Sequence, residues 1–199
     1  MKKKLLVLGA MVCLIAILAA GTLAYFTTNA VVHNVITTGE IDISLVEKGP
    51  VGSTPLPDGG FSVSGVMPDS KIQKEIAVKN ETGEPAWIRV KLECTIVSKD
   101  GKVMETTLGE TALIDYVYPD NFAENWVQEG DFYYYKKPLA GNQTTTLLIE
   151  EVAIAPEMNN PYQECTVTVN VKAYAVQSKN NTPESGDVLD IKGWPVDMT

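Results

Sequence analysis

Histidine occurs once in these 199 residues, at His33. No His-Glu-x-x-His motif can form, which removes the commonest zinc-peptidase arrangement of two histidines one helical turn apart. A Ser or Cys triad would have to recruit that same His33, and the chain has no Gly-x-Ser-x-Gly elbow to present a nucleophile. Cysteine is almost as scarce, with Cys13, Cys94 and Cys165 alone. Basic residues are few, 16 against 25 acidic ones, for a formal net charge of −9. That balance argues against nucleic-acid binding and against adsorption to anionic lipid. Helical periodicity is missing from nearly the whole chain.

What is present begins with a leader. Lys2, Lys3 and Lys4 precede an uncharged apolar run over residues 5–24, the pattern of an export signal. A run of about 20 residues also suffices to cross a bilayer as a helix, so a retained anchor is the alternative. Its end is built of small residues, and Thr22 and Ala24 fit the small-x-small pattern that signal peptidases accept. Cleavage is therefore expected between Ala24 and Tyr25. Cys13 follows Val12 rather than a small residue, so it reads as part of the apolar run and not as a lipidation site. Residues 25–199 then form a single domain carrying 13 basic and 25 acidic residues, a net of −12. Membrane contact is expected only through the uncleaved leader.

Within 25–199 the dominant signal is strict alternation. Ile41, Ile43 and Leu45 share one face of "EIDISLVE". Ile88, Val90, Leu92, Cys94 and Ile96 share one face of "AWIRVKLECTIV", opposite Trp87, Arg89, Lys91, Glu93 and Thr95. Cys165, Val167, Val169, Val171, Ala173 and Ala175 do the same in "ECTVTVNVKAYAV". Such runs predict antiparallel strands with one face in a core and one in water. Asp100-Gly101 and Glu129-Gly130-Asp131 predict hairpins. Turn signals at 49–60, 67–70, 80–85 and 139–143 punctuate the rest. The pattern predicts an all-β, antiparallel β-sandwich. A short helical insertion is expected near 108–125, and "DVLDIKGW" is expected to dock as a short helix or edge strand anchored by Trp194.

The candidate chemistry is sparse. Cys94 and Cys165 both fall on inward faces, compatible either with a disulfide or with two buried thiols. Closing their loop would contribute about 4 kcal/mol in the chain-entropy model. Asp115, Asp120, Glu124, Glu129 and Asp131 match no calcium-loop spacing, and a solvated acidic face accounts for them equally well. The hairpin bearing Trp126 and Tyr133–Tyr135 could offer an aromatic platform to a ligand, though cross-strand tyrosines that stabilise a hairpin are the simpler reading. Asn80, Asn142 and Asn180 begin N-x-T triplets in predicted turns. No cofactor is expected.

The stretch "GTLAYFTTNAVVHNVITTGEIDISLVE" resembles the N-terminal signature of the TasA/camelysin family. The matching elements are Gly21-Thr22-Leu23-Ala24-Tyr25-Phe26 at the end of the leader and the strand Gly39-Glu40-Ile41-Asp42-Ile43. "VMPDSKIQKEIAVKNETGEPAWIRVKLE" is similar to the family's next block, a proline turn followed by an alternating strand that closes on asparagine and glycine. The resemblance covers about 70 residues. It implies export from a Gram-positive cell, leader removal by a SipW-type signal peptidase, a jelly-roll-like sandwich, and a structural role in a biofilm matrix or on the cell surface. Camelysin members have been classed as metallopeptidases, but no ligand set stands on matching positions here. Cleavage would free residues 25–38, an arm rich in Val, Ile and Thr without proline or a charged carboxylate or ammonium to guard it. Tyr25, Phe26, Val31, Val32, Val35 and Ile36 are the residues expected to drive self-association with further copies or related matrix proteins, by adding the arm as a strand to another molecule. The alternatives are a first strand paired within its own chain, a camelysin-like metallopeptidase, and a surface ligand-binding module.

Overall fold

The computed structural model describes residues 34–37, 41–51, 54–55, 61–62, 67–158, 160–162 and 164–195. The leader, the expected cleavage point at Ala24 and Tyr25, and arm residues Phe26, Val31 and Val32 lie outside the described residues, as does His33. No helix among the described residues is long and apolar enough to cross a membrane.

The chain is an all-β sandwich of two sheets over one core. In chain order the strands are β1 (Asn34–Thr37), β2 (Ile43–Lys48), β3 (Thr54–Pro55), β4 (Phe61–Ser62), β5 (Lys71–Asn80), β6 (Ala86–Val97) and β7 (Val103–Met104). They continue with β8 (Thr107–Leu108), β9 (Thr111–Ala112), β10 (Ile114–Val117), β11 (Trp126–Glu129), β12 (Phe132–Tyr135), β13 (Ile149–Ile154) and β14 (Thr166–Gln177). One sheet runs β1-β14-β6-β12-β11, with β7 also on β6; the other runs β10-β13-β5-β2. β3 pairs β4, and β8 pairs β9, as two small ribbons.

The alternation read from sequence becomes the core. β6 and β14 pair antiparallel over twelve residues, from Ala86↔Gln177 to Val97↔Thr166. Their shared inward face brings Ile88, Val90 and Ile96 against Val171, Ala173 and Ala175, all essentially inaccessible. The facing sheet supplies Ile43, Ile76, Val78, Val152 and Ile154 to the same cluster. Each of the valines and isoleucines contributes about 1.5–3 kcal/mol by leaving water, which is what holds the layers together. Both predicted hairpins form, β6–β7 through Gly101 and β11–β12 through Gly130, each with the positive φ that favours glycine.

The short helical insertion expected near 108–125 is present as one four-residue helix, α1 (Phe122–Asn125). Turns and short strands make up the rest of that segment, and "IDYV" is the longest of these strands because it finds a partner. β10 pairs β13 with Ile114 opposite Ile154 and Tyr116 opposite Val152, extending the second sheet by an edge. One expectation is corrected, that the outer face of the β6 sheet meets water. At one end it is covered. Trp87 and Val176 pack with Val188 and Ile191 in a second apolar cluster that also includes Val127, Tyr134 and Trp194. The covering segment does dock as a short helix, a 3-10 turn at Val188–Asp190 capped by the Asp187 side chain.

Two turns are knotted around Asn80, which is completely buried. Its amide nitrogen donates to the carbonyls of Glu84 at 2.8 Å and Leu139 at 3.2 Å. Its amide oxygen accepts from the backbone N–H of Thr82 at 3.0 Å and from the Thr82 hydroxyl at 2.7 Å. The turns at 80–85 and 139–143 thereby meet so closely that a Cβ on Gly141 would strike the Gly83 backbone.

Candidate functional site

β1 lies on the open edge of β14 and runs parallel to it. The register is Asn34↔Lys172, Val35↔Ala173, Ile36↔Tyr174 and Thr37↔Ala175. Of the assembly residues expected from sequence, Val35 and Ile36 therefore fall on a strand, paired within their own chain. Among the described residues every other strand pairing is antiparallel. A parallel partner is not delivered by a hairpin; among the described residues β1 makes a four-residue ladder on β14 and also lies close to β2.

Beside this seam, the outer face of the sheet carries an aromatic and cationic cluster that sequence reasoning missed. Arg89 is the chain's only arginine. Its guanidinium lies 4.0 Å from the Phe132 ring centre, 4.8 Å from that of Trp194 and 5.0 Å from that of Tyr174. It donates to the Pro195 carbonyl at 3.1 Å. The planar fork suits this role, since it stacks on rings while its edge donates hydrogen bonds. The signal in the sequence was a lone arginine on the outer face of an alternating strand, but the rings come from three distant segments. Farther along the same face, Glu93 bridges Lys91 at 2.9 Å and Lys172 at 3.1 Å. Those contacts, the Lys91 hydrogen bond first, hold the Glu93 carboxyl below the ordinary range.

The remaining candidates are dispersed. Trp126, Tyr133 and Tyr135 are buried in the main core, so the hairpin presents no aromatic platform of these rings. Tyr134 faces the other way and packs edge-on against Trp194 at 5.8 Å. The Tyr133 hydroxyl pairs with that of Tyr118 at 2.9 Å beside Phe122, and burial pushes the Tyr133 phenol well up. Among the described residues no group of three His, Cys, Asp or Glu side chains converges on a point that could hold a metal. That includes Asp115, Asp120, Glu124, Glu129 and Asp131, which do not form a calcium cage.

The candidate disulfide is corrected as well. Cys94 and Cys165 are free thiols. Cys94 stands in register with Val169, four residues along the chain from Cys165. At about 3.3 Å per residue the two are roughly 13 Å apart, twice the Cα separation a disulfide allows. Burial pushes the Cys94 thiol up to about 11 and raises that of Cys165. Neither is poised as a nucleophile, which is a thiolate. A shallow groove of about 480 Å³ lies between Val127, Lys136 and the loop Ser185–Val188. The chain matches no protein-family model, no curated protein and no solved structure.

Proposed function

We propose that this chain is an exported, non-enzymatic structural protein of the cell surface or extracellular matrix, a jelly-roll-like sandwich that self-associates by exchanging its N-terminal strand. The observation that carries this reading is the parallel seating of β1 on β14. A strand held by one short parallel ladder at a sheet edge is the element most readily replaced by the same strand of another copy. Replacement restores every backbone hydrogen bond, so exchange costs little beyond the association entropy. Each copy donates one arm and offers one β14 edge, so exchange repeated head to tail yields an open filament, whereas reciprocal exchange would close a dimer. The resemblance of residues 21–43 to the TasA/camelysin signature points the same way. Under this reading a SipW-type signal peptidase frees the arm by cutting between Ala24 and Tyr25.

The neighbouring edge of the second sheet, which lies beside β1 and β14, supports growth through β14. β2 closes the second sheet, and its inward face ends on Glu47, paired with Lys74. Inward charge on an edge strand opposes strand addition. The test compares residues 25–199 with a chain lacking 25–38, both prepared as monomers. Sedimentation and negative-stain microscopy follow them as salt screens the −12 charge. Filaments from the longer chain alone are expected. Equal assembly by both chains, or none by either, overturns strand exchange.

A further inference from the structure

The N-terminal strand and the C-terminal segment both rest on Tyr174. In the sheet, Tyr174 is in register with Ile36 on one side and with Arg89 on the other. Tyr174 is fully buried, and its ring meets Phe132 edge-on at 5.6 Å with the Arg89 guanidinium above it. Arg89 is in turn fastened from outside by the segment 187–195. Trp194 stacks on it, and Pro195 accepts its hydrogen bond. The segment is a strap with its own footing. Val188 and Ile191 are buried against Trp87 and Val176, the Trp87 indole donates to the Asn181 carbonyl at 2.8 Å, and the Asn181 amide donates to the Lys192 carbonyl at 2.9 Å.

We propose that this strap is a clamp on the β14 edge, setting through Trp194, Arg89 and Tyr174 how firmly that edge holds whichever strand lies on it. A short segment fastened by a handful of outer-face contacts opens at lower cost than a sheet does. When it lifts, Arg89 loses a stacking partner and its carbonyl acceptor together. Tyr174 then loses the fixed cation that covers its ring, at the position on β14 where the β1 ladder is made. The seated strap favours a retained strand, and the lifted strap favours release and exchange. The two elements meet at Tyr174, β1 through the backbone ladder and the strap through Arg89, and Trp194 also borders the Val188 and Ile191 cluster. Trp194 engages Arg89, whereas Val188 and Ile191 engage Trp87 and Val176.

The part of the proposal concerning exchange rests on the filament reading above; the clamp itself is measured in the monomer. Amide hydrogen exchange on monomeric 25–199 would be compared between the native chain and Trp194→Ala. Loss of one cation–π partner and the ordering it gives corresponds to about fivefold faster exchange at Asn34–Thr37. Strands β10 and β13, at the far end of the other sheet, are expected to keep their rates. Arg89→Lys keeps the charge and loses the planar stack, and gives the same direction with a smaller change. Unchanged exchange at Asn34–Thr37 while Val188–Asp190 accelerates overturns the clamp, as does equal acceleration of both sheets in both variants. Filament onset in salt is read separately. Earlier onset for Trp194→Ala supports the coupling to exchange. Absence of filaments from native and variant chains alike sinks the filament reading and leaves the exchange result to judge the clamp.

Discussion

Lys74 Nζ lies 2.8 Å from Glu47 Oε1 on the inward face of β5 and β2, with the two side chains only 9% and 5% exposed. An ion pair this far out of water gains Coulomb energy but loses hydration at both ends. Removing one partner takes this counter-charge from a charge that stays buried. Lys74→Met is therefore expected to lower unfolding stability by about 3 kcal/mol. Urea denaturation followed by tryptophan fluorescence measures it, with an unchanged m-value as the sign that compactness is preserved. A loss below about 0.5 kcal/mol would mean the pair is effectively hydrated.

Asn80 carries the second prediction. Both ends of its amide are used, by the Leu139 and Glu84 carbonyls and by Thr82. Asn80→Ala strands these groups in a dry turn and is expected to cost about 2–4 kcal/mol. Gly141→Ala attacks the same knot sterically, through the Gly83 backbone, and thermal melts of the two variants should fall together. The complete burial of Asn80 also closes its N-x-T triplet to glycosylation, so any glycan found by intact mass belongs elsewhere.

The thiols give a third. With Cys94 buried and its thiol raised, a native 25–199 chain is expected to react slowly at Cys94 with an alkylating reagent at neutral pH, and faster at Cys165. Peptide mapping after timed alkylation checks the order. Reducing agent should leave the melting temperature unchanged, since no bridge is broken. A drop in melting temperature on reduction would contradict the register that separates the two residues.

Stability is expected to fall at both ends of the pH scale. On the acid side, Glu75 is held below its ordinary value of 4.5 by Gln73 and then Lys48, and Glu93 by Lys91 and then Lys172. A lowered folded value means stability that is present above about 4.5 and lost as pH falls through the lowered values. On the alkaline side, Cys94 keeps its proton to about 11 in the fold against 9.0 when exposed, so stability is complete below 9.0 and declines as pH rises between these values. Burial raises Tyr116 and Tyr133 too, adding to the decline beyond the ordinary tyrosine range. Each proton released on unfolding contributes a slope of about 1.4 kcal/mol per pH unit. Cys94→Ala should delay the alkaline loss, as read by urea midpoints from pH 8 to 11.

Particular elements show how much of this was legible beforehand. The inward sets on β6 and β14 were read correctly residue by residue, because a period of two leaves only one way to bury a strand. The hairpins at Gly101 and Gly130 followed from turn chemistry for the same local reason. In 108–125 the short helix at Phe122–Asn125 was legible, but the strand Ile114–Val117 was not, because four alternating residues are too few to announce a strand until β13 supplies a ladder. Arg89 looked like a solvated outer-face residue. Its rings come from β12, β14 and the C-terminal strap, and nothing local announces a meeting of positions 132, 174 and 194.

The sequence by itself determined the strands, their buried faces and their turns, since each depends on alternation or on a φ that few residues adopt. It also determined the acidic balance and the poverty of catalytic groups. Only the tertiary structure decided that β1 lies parallel on β14, that Cys94 and Cys165 stay apart, and that Trp194 and Tyr174 close on Arg89. Those are relations between residues far apart in the chain. They are chosen by register and by which faces remain to be covered, and no local rule encodes either.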